Sequence, residues 1–367
     1  MTMTQKIAPR TRNQDFNQAK HAKKDEFYTA LRDIELELEH YAHHFDGKVV
    51  YCNCDDPRAS NFFRYFSTNF ERLGLKKLIT TCYRSQNADL FEQGDSDEAV
   101  YIEYSGERGP NGIPNAESIG IKPLKGDGDF RSAECVELLK QSDIVVTNPP
   151  FSLFQEYVAQ LFQYEKKFVI LGNLNAVTYK GIFPLIQNNQ IWYGPSIRSG
   201  DREFRVPDNY PITAVGSRID ENGNKYVRVK GVRWFTNLDY PDRHVDLELH
   251  KSYSPEENPV YANYDAIEVS KTKDIPVDYD GPMGVPITFL DKFNPDQFEI
   301  LGSSKTLSRP MSQIAEKGTF QSGGPRFYLK KVDGTYRRMY ERIVIRKKRS
   351  SYKGHETTRG KACRTAI

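Results

Sequence analysis

No run of about 18 or more apolar residues occurs in the 367-residue sequence, and no signal peptide is evident, so neither membrane spanning nor secretion is expected. Cysteine is scarce. The five residues Cys52, Cys54, Cys82, Cys135 and Cys363 are odd in number and irregularly spaced, which excludes a secreted disulfide framework and points to a reduced, cytoplasmic protein. No CxxC pair is present, and a structural zinc site needs about four well-spaced ligands, so no metal is expected. Cys52 and Cys54 fit a pair of small buried residues, and His40, His43 and His44 a solvated helix end. No GxGxxG follows the first expected strand, which argues against a nicotinamide dehydrogenase. Excess charge is also lacking. At a formal +3 the chain is no bulk polycation, and any nucleic-acid contact must rest on local positive charge.

What is present is aromatic and globular. With 21 Phe and 22 Tyr the chain can build a sizeable core, and its length suits two domains of ~100–200 residues each. Residues 1–24 are polar and basic and fit a flexible arm. Leu31, Ile34, Leu38, Tyr41 and Phe45 recur at helical spacing over 30–45. Strands are expected at 48–52, 78–82, 143–147, 168–171 and 191–193, with helices over 59–73, 131–141, 152–164 and 175–188. Loops fill 86–130 around a hairpin near 100–104. Strands alternating with helices predict a parallel sheet covered on both faces, with ligands at the strands' carboxyl ends. After about residue 196 the character changes. Residues 227–236 read as β, and 241–340 as short strands and long loops. The stretch from Arg337 onward is strongly basic.

The sharpest chemical signal is DIVVTNPPF, 143–151, where a β-branched strand runs into Asn148-Pro149-Pro150-Phe151 and a helix follows at once. The tetrapeptide resembles the catalytic motif of amino-methyltransferases, which act on adenine, cytosine, guanine or glutamine side chains. An adenine N6 is a poor nucleophile because its lone pair is delocalised into the ring. Two acceptors around its hydrogens draw it toward tetrahedral geometry. The Asn148 amide oxygen and the Pro149 carbonyl suit that task, stiffened by two prolines with φ fixed near about −65°. Phe151 is placed to stack on the base.

Three further segments resemble cofactor-binding motifs of class I methyltransferases. In CNCDDPRAS, 52–60, Asp56-Pro57 matches the Asp-Pro after the first strand, but the usual glycines are replaced by Arg58, Ala59, Ser60 and Asn61. Cys54, Asp55, Asp56 and Pro57 are the expected contacts, with Asp55 or Asp56 facing the cofactor's ammonium; Asp56 or Ser60 equally fits a helix cap. Tyr28-Thr29 matches a Tyr-Thr-Pro motif with Ala30 in place of proline, and Thr29 is expected at the cofactor's carboxylate beside Phe27 or Tyr28. In GDGDF, 126–130, Asp127, Asp129 and Phe130 suit the cofactor's adenine; a surface Asp-Gly turn fits as well. The second strand ends without the acid that ordinarily holds the ribose.

The motif order, the Cys-Asn-Cys-Asp-Asp-Pro loop, and the segments GNLNAVTYKGIFPLI (172–186) and GVPITFLDKFNPDQFEILG (284–302) resemble the EcoRI-type adenine-specific DNA methyltransferases of restriction–modification systems, over roughly 25–330. The resemblance implies an α/β fold, a Rossmann-like class I methyltransferase sheet with an irregular, β-rich C-terminal target-recognition region. The expected domains are a basic arm at 1–24, an S-adenosylmethionine-binding catalytic domain at 25–240, a target-recognition region at 241–340 and a basic tail at 341–367. It implies a monomer that acts on a flipped-out adenine in duplex DNA, beside a cognate restriction endonuclease without a stable complex. Arg198, Arg202, Arg205, Arg228, Lys230, Arg233, Trp234, Lys305 and Arg309 are the expected DNA contacts, with a solvated charged hairpin as the alternative for the first seven. An RNA or protein-glutamine methyltransferase, or a silent nucleic-acid-binding protein, remain the alternative functions.

Overall fold

The computed structural model describes residues 28–54, 56–83, 99–107, 115–198, 201–206 and 217–348. The expected arm at 1–24, Phe27, Asp55 and the end of the basic tail lie outside these residues. The chain divides into two compact units, Met1–Arg243 with Thr288–Lys292, and His244–Ile287 with Phe293–Ile367.

The first unit holds strands β1 (Val49–Cys52), β2 (Lys77–Thr81), β3 (Val100–Tyr104), β4 (Lys122–Pro123), β5 (Ile144–Thr147), β6 (Lys167–Asn173), β7 (Trp192–Tyr193), β8 (Asp201–Val206), β9 (Arg218–Ile219), β10 (Lys225–Lys230) and β11 (Val232–Thr236). Its main helices are α1 (Leu31–Leu38), α2 (Asn61–Thr68), α3 (Ala133–Gln141), α4 (Phe154–Gln163) and α5 (Phe183–Gln187). Eight strands form one mixed sheet in the order β4-β3-β2-β1-β5-β6-β11-β7. The central strands β2, β1, β5 and β6 are parallel, as expected, and the pairs added at either edge are antiparallel. Strands β8, β10 and β9 form a separate small sheet.

Side-chain alternation sorts the core onto two faces. Val50, Cys52, Ile144, Val146, Val169, Leu171 and Trp234 pack with Ile34 and Leu38 of α1 and Phe62 and Phe66 of α2. On the opposite face Phe235 meets Phe154 of α4 at 4.9 Å, and Phe168 meets Phe162 at 6.0 Å. Tyr51, on that same face, shares a hydrogen bond with the Thr81 hydroxyl of β2 at 2.9 Å. The unit is therefore a helix–sheet–helix sandwich.

Two expected elements break where the backbone requires it. The stretch 227–236 is split by Gly231, whose φ of +70° turns β10 of the small sheet into β11 of the large one. The helix expected over 175–188 is a 3-10 turn, Leu174–Thr178, followed by α5, which starts afresh with a proline in its first turn.

The second unit contains β12 (Ile267–Glu268), β13 (Met283–Pro286), β14 (Phe298–Ser303), β15 (Tyr328–Lys330), β16 (Tyr336–Arg338) and β17 (Arg342–Lys347). Strands β12, β13, β17 and β14 make one sheet, and β15 and β16 a hairpin. The residues read as the start of a basic tail are thus the inner strand β17, with Ile343, Val344 and Ile345 buried. Phe327 lies between Tyr261 and Tyr264 at 4.5 and 5.2 Å, near parallel to both. Arg342 makes a bidentate pair with buried Glu268, at 2.7 and 3.0 Å.

Glu37 of α1 is fully buried. Its carboxylate accepts from the Tyr41 hydroxyl at 2.9 Å and from the Ser196 amide at 3.0 Å. Burial pushes its pKa up to about 7, against the opposing hydrogen bonds from Ser196 and Tyr41. The folded state therefore holds this proton more tightly than the unfolded chain, which releases it near 4.5. The associated stability is full below 4.5 and is lost as pH rises through about 7, an upper bound of roughly 3 kcal/mol. Replacing Glu37 with Gln is expected to flatten the fall in urea midpoint between about pH 5 and 7.5. Identical pH profiles for the two proteins would place the titration elsewhere.

Candidate active site

Strand order reverses at β1. The chain passes from β1 to β2 on one side and then to β5 on the other. After β1 it enters α2 on one face of the sheet, and after β5 it enters α4 on the opposite face. The loops leaving the carboxyl ends of β1 and β5 therefore diverge and open a crevice, the standard ligand position in parallel sheets. Both principal sequence motifs leave from this point.

Asn53, the first residue beyond β1, holds the two sides together. Its carbonyl accepts from the Thr147 hydroxyl at the end of β5, and its side-chain oxygen accepts from the Tyr157 hydroxyl of α4. All three residues are buried. Cys54 then adopts φ +75°, a left-handed conformation that side chains rarely occupy. Where related loops use glycine to turn, this one uses a strained cysteine. Cys52 is buried as expected, whereas Cys54 is only half-buried. Asp56 follows, and its carboxylate accepts from the Arg58 amide at 2.8 Å and from the Arg58 guanidinium at 3.2 Å. Burial raises the Asp56 pKa against the pull of these bonds. Ser60 caps α2 by accepting from the amides of Phe62 and Phe63. The capping role falls to Ser60, and Asp56 is engaged by Arg58.

Asn148 continues from Thr147 into the crevice and is 7% exposed. Pro149 is buried, and Pro150 and Phe151 are half-buried. The carbonyl of Pro150 accepts from the Leu153 amide at 3.0 Å, which starts the turn into α4. Phe151 packs partly against the α1–α2 core.

The other segments expected to contact a cofactor stand at this end of the sheet. Gly128 has φ +75°, and a Cβ there would overlap the carbonyl oxygen of Cys82 at the end of β2, so only glycine fits. That close approach lays GDGDF across the carboxyl edge of the sheet. The Phe130 ring meets Tyr157 edge-on at 5.0 Å. Asp129 is taken up by Arg131, at 2.6 and 2.8 Å, whereas Asp127 is exposed with one oxygen on the Asp129 amide. On the α2 side, Asn61 donates to the Thr29 carbonyl at 2.7 Å. The Thr29 hydroxyl is buried and has no hydrogen-bond partner among the described residues, and a buried hydroxyl of this kind invites a ligand acceptor. Tyr28 pairs its amide with the Arg205 carbonyl at 3.0 Å. Asn53, Thr147 and Tyr157 were absent from the sequence-based site. The nearest signal was Tyr157's place in the buried stripe Phe154, Tyr157, Val158, Leu161.

The expected basic surface needs correction at two positions. Trp234 has no exposed surface and packs edge-on to Phe62 at 6.3 Å. Arg233 is 3% exposed, with its guanidinium on Asp291 at 2.7 and 3.0 Å and on the Arg198 carbonyl. Both belong to β11 inside the sheet, where nothing outside the protein can reach them. Arg202 is half-buried, 3.6 Å from Asp33. Arg205, Arg228 and Lys230 are exposed on one face of the small sheet, interleaved with Glu203 and Asp201 in register. Arg198, Lys305 and Arg309 are exposed as well.

The strain at Cys54 has a direct test. Cys54→Gly and Cys54→Ala both remove the thiol, but only glycine relieves a left-handed backbone. The glycine variant is expected to be the more stable in urea denaturation, by about 1 kcal/mol. Equal or inverted stabilities would mean that residue 54 is not held at positive φ.

The family described as Adenine-specific methyltransferase EcoRI matches residues 15–348. The chain is 51% identical over 297 residues to the Type II methyltransferase M.EcoRI of Escherichia coli, covering 80% of this chain and 90% of that relative. It is 39% identical over 344 residues to the Type II methyltransferase M.MpnI of Mycoplasma pneumoniae, covering 91% and 98%. It is 36% identical over 342 residues to the Type II methyltransferase M.MgeORF184P of Mycoplasma genitalium, covering 90% and 98%. No solved structure matches the chain. A crevice between β1 and β5 that carries Asn148-Pro149-Pro150-Phe151, in a chain matched over nearly its whole length, has one reading: the chain belongs to the EcoRI family of adenine-specific methyltransferases.

Proposed function

We propose that the chain is a site-specific DNA methyltransferase that acts on the exocyclic N6 of adenine in duplex DNA, as the modification half of a type II restriction–modification system. The observation that carries this reading is the seating of Asn148 at the end of β5, across the switch-point crevice from the Asn53–Asp56 loop. The sheet is read as a Rossmann-like class I methyltransferase sheet and the second unit as the target-recognition region. S-adenosylmethionine is the proposed donor and supplies a methyl group activated on a positively charged sulfur.

The residues present fit that donor. The buried Thr29 hydroxyl is a donor for its carboxylate, and Asp56 offers a carboxylate, shared with Arg58, to its ammonium. Asp127 and Phe130 are assigned to its adenine in this reading, the exposed Asp127 as acceptor and Phe130, packed on Tyr157, as the apolar wall. Asp129 is the weaker choice because Arg131 occupies both its oxygens.

The target adenine must leave the duplex to reach a crevice in the sheet, at a cost of a few kcal/mol. Asn148 and the Pro149 carbonyl accept the two N6 hydrogens, and the half-buried Phe151 offers a ring face to the base. No strong base is required, since the amine becomes positively charged on taking the methyl group, and that cation is acidic enough to give its proton to water.

Replacing Asn148 with Ala is expected to abolish methyl transfer while leaving donor affinity within a few-fold. The measurement is radiolabelled transfer to unmethylated duplex DNA with nucleoside mass spectrometry, beside calorimetry of donor binding. Wild-type turnover by this variant overturns the mechanism, and label found in RNA or protein instead of DNA overturns the substrate. Tyr157→Phe should give the opposite signature. It leaves Asn53 one donor short, and donor affinity is expected to fall about tenfold, the equivalent of one buried hydrogen bond, with a smaller change in kcat. Unchanged donor affinity would show that the Asn53 bond does not shape the loop.

A further inference from the structure

The hairpin of β15 and β16 is anchored at its base and bare at its tip. Tyr328, Leu329 and Met339 are buried at the base. The Tyr328 amide donates to the Asn263 side chain at 3.1 Å, and the Tyr328 hydroxyl to the Gln321 carbonyl at 2.7 Å. Arg338 is tied to the Gly324 carbonyl at 3.0 Å. Beyond this base the turn closes with the Lys331 amide on the Thr335 carbonyl at 2.8 Å, and Gly334 at φ +82°. A hairpin turn of this kind is rigid and follows strand twist.

The chemistry of the tip is unusual for a turn. Val332 is fully exposed at 110%. A β-branched apolar residue gains nothing for the fold there, where polar residues are the rule. Lys330 and Lys331 precede it and Arg337 stands opposite Leu329 on the second strand; all three are exposed, and none makes an ion pair among the described residues. The tip's one acid, Asp333, is exposed and bonded within the turn. Its carboxylate accepts from the Thr335 amide at 2.9 Å and hydroxyl at 2.6 Å, and the Thr335 hydroxyl lowers its pKa. The exposed surface of the two-stranded ribbon thus carries three cations, one carboxylate held by Thr335 and one apolar side chain. A ribbon of this width fits the major groove of B-form DNA, where apolar side chains read the thymine methyl.

We propose that the tip of this hairpin, residues 330–337, enters the major groove of the duplex substrate, with Lys330, Lys331 and Arg337 on flanking phosphates and Val332 against a base edge. The proposal rests on duplex DNA being the substrate, and it names a sequence-reading element that the basic loops of the first unit do not supply.

The test uses the full chain with all three cations replaced by Ala, and separately Val332→Ala. The first measurement is the dependence of duplex-DNA affinity on salt. Each lost phosphate contact should lower the log–log slope by about 0.9, so the triple variant is expected to lose roughly two to three from it. Its melting temperature and donor affinity should stay at wild-type values. Val332→Ala should keep the slope and instead compress the difference in methylation rate between the target site and sites with one A·T pair changed. A wild-type slope in the triple variant, or unchanged site discrimination in Val332→Ala, overturns the hairpin's role. Failure of the wild-type chain to methylate duplex DNA overturns the underlying reading of the substrate instead, so the two failures are distinguishable.

Discussion

Two buried hydrogen bonds onto Asn53 are the constraint on which the site depends. At the reversal of strand order the polypeptide leaves β1 and β5 toward opposite faces, and nothing in the sheet ladder fixes how far the two loops stand apart. Asn53 supplies that fixture, with its carbonyl on Thr147 and its side chain on Tyr157. Each donor is fully desolvated, and leaving one unmet costs on the order of 1–3 kcal/mol. The loop is therefore held to one geometry. With both acceptors of Asn53 committed to the β5 side, the next residue has to turn the chain outward, and Cys54 does so at positive φ. The absence of glycines from the loop and the presence of the Asn53 bonds are two aspects of the same solution.

Charge is used in a similar way. Of the arginines that stand out in the sequence, Arg233 and Arg342 are spent inside, each in a bidentate pair with a buried acid, Asp291 and Glu268. Burial raises the Asp291 pKa even so, against the pull of Arg233. Such pairs contribute little net stability but are costly to break from one side, so they fix β11 and β17 in place more than they strengthen them. The small sheet's outer face is nearly balanced, because Arg228 stands opposite Glu203 and Lys230 opposite Asp201. With 52 Lys and Arg nearly matched by 49 Asp and Glu, where the cations stand matters more than how many there are.

The parts of this architecture that were legible in the sequence are those set by local pattern. The β-branched runs at 49–52, 144–147 and 167–173 become buried parallel strands, and Asn148-Pro149-Pro150-Phe151 falls at a strand's carboxyl end because prolines cannot continue a ladder. What was not legible depends on long-range placement. Residues 227–230 alternate apolar and basic like an edge strand and run on into Val232–Thr236, yet that strand pairs on both sides, with β6 and β7, so Arg233 and Trp234 are internal. The basic run at 342–347 reads as a tail until three aliphatic residues within it find β13 and β14. Tyr157 looked like one more aromatic in an amphipathic helix. Only the fold reveals that its hydroxyl ends on a residue over 100 positions away.

The same distinction bears on the proposed mechanism, which calls on no strong base. An amide and a backbone carbonyl are weak acceptors, and in water they would already be occupied by solvent. At the end of β5 they need no reorganisation, because Thr147 is pinned to Asn53, Asn148 is almost fully buried, and two prolines remove backbone freedom from the segment that follows. Fixed acceptors in a desolvated crevice retain their full interaction with the hydrogens of an incoming amine, whereas flexible ones would lose much of it to ordering. Preorganisation therefore replaces basicity. On the proposed mechanism, the residues that immobilise the pocket, Asn53 and Tyr157 above all, belong to the catalytic design as much as the tetrapeptide, although neither has to touch the reacting atoms.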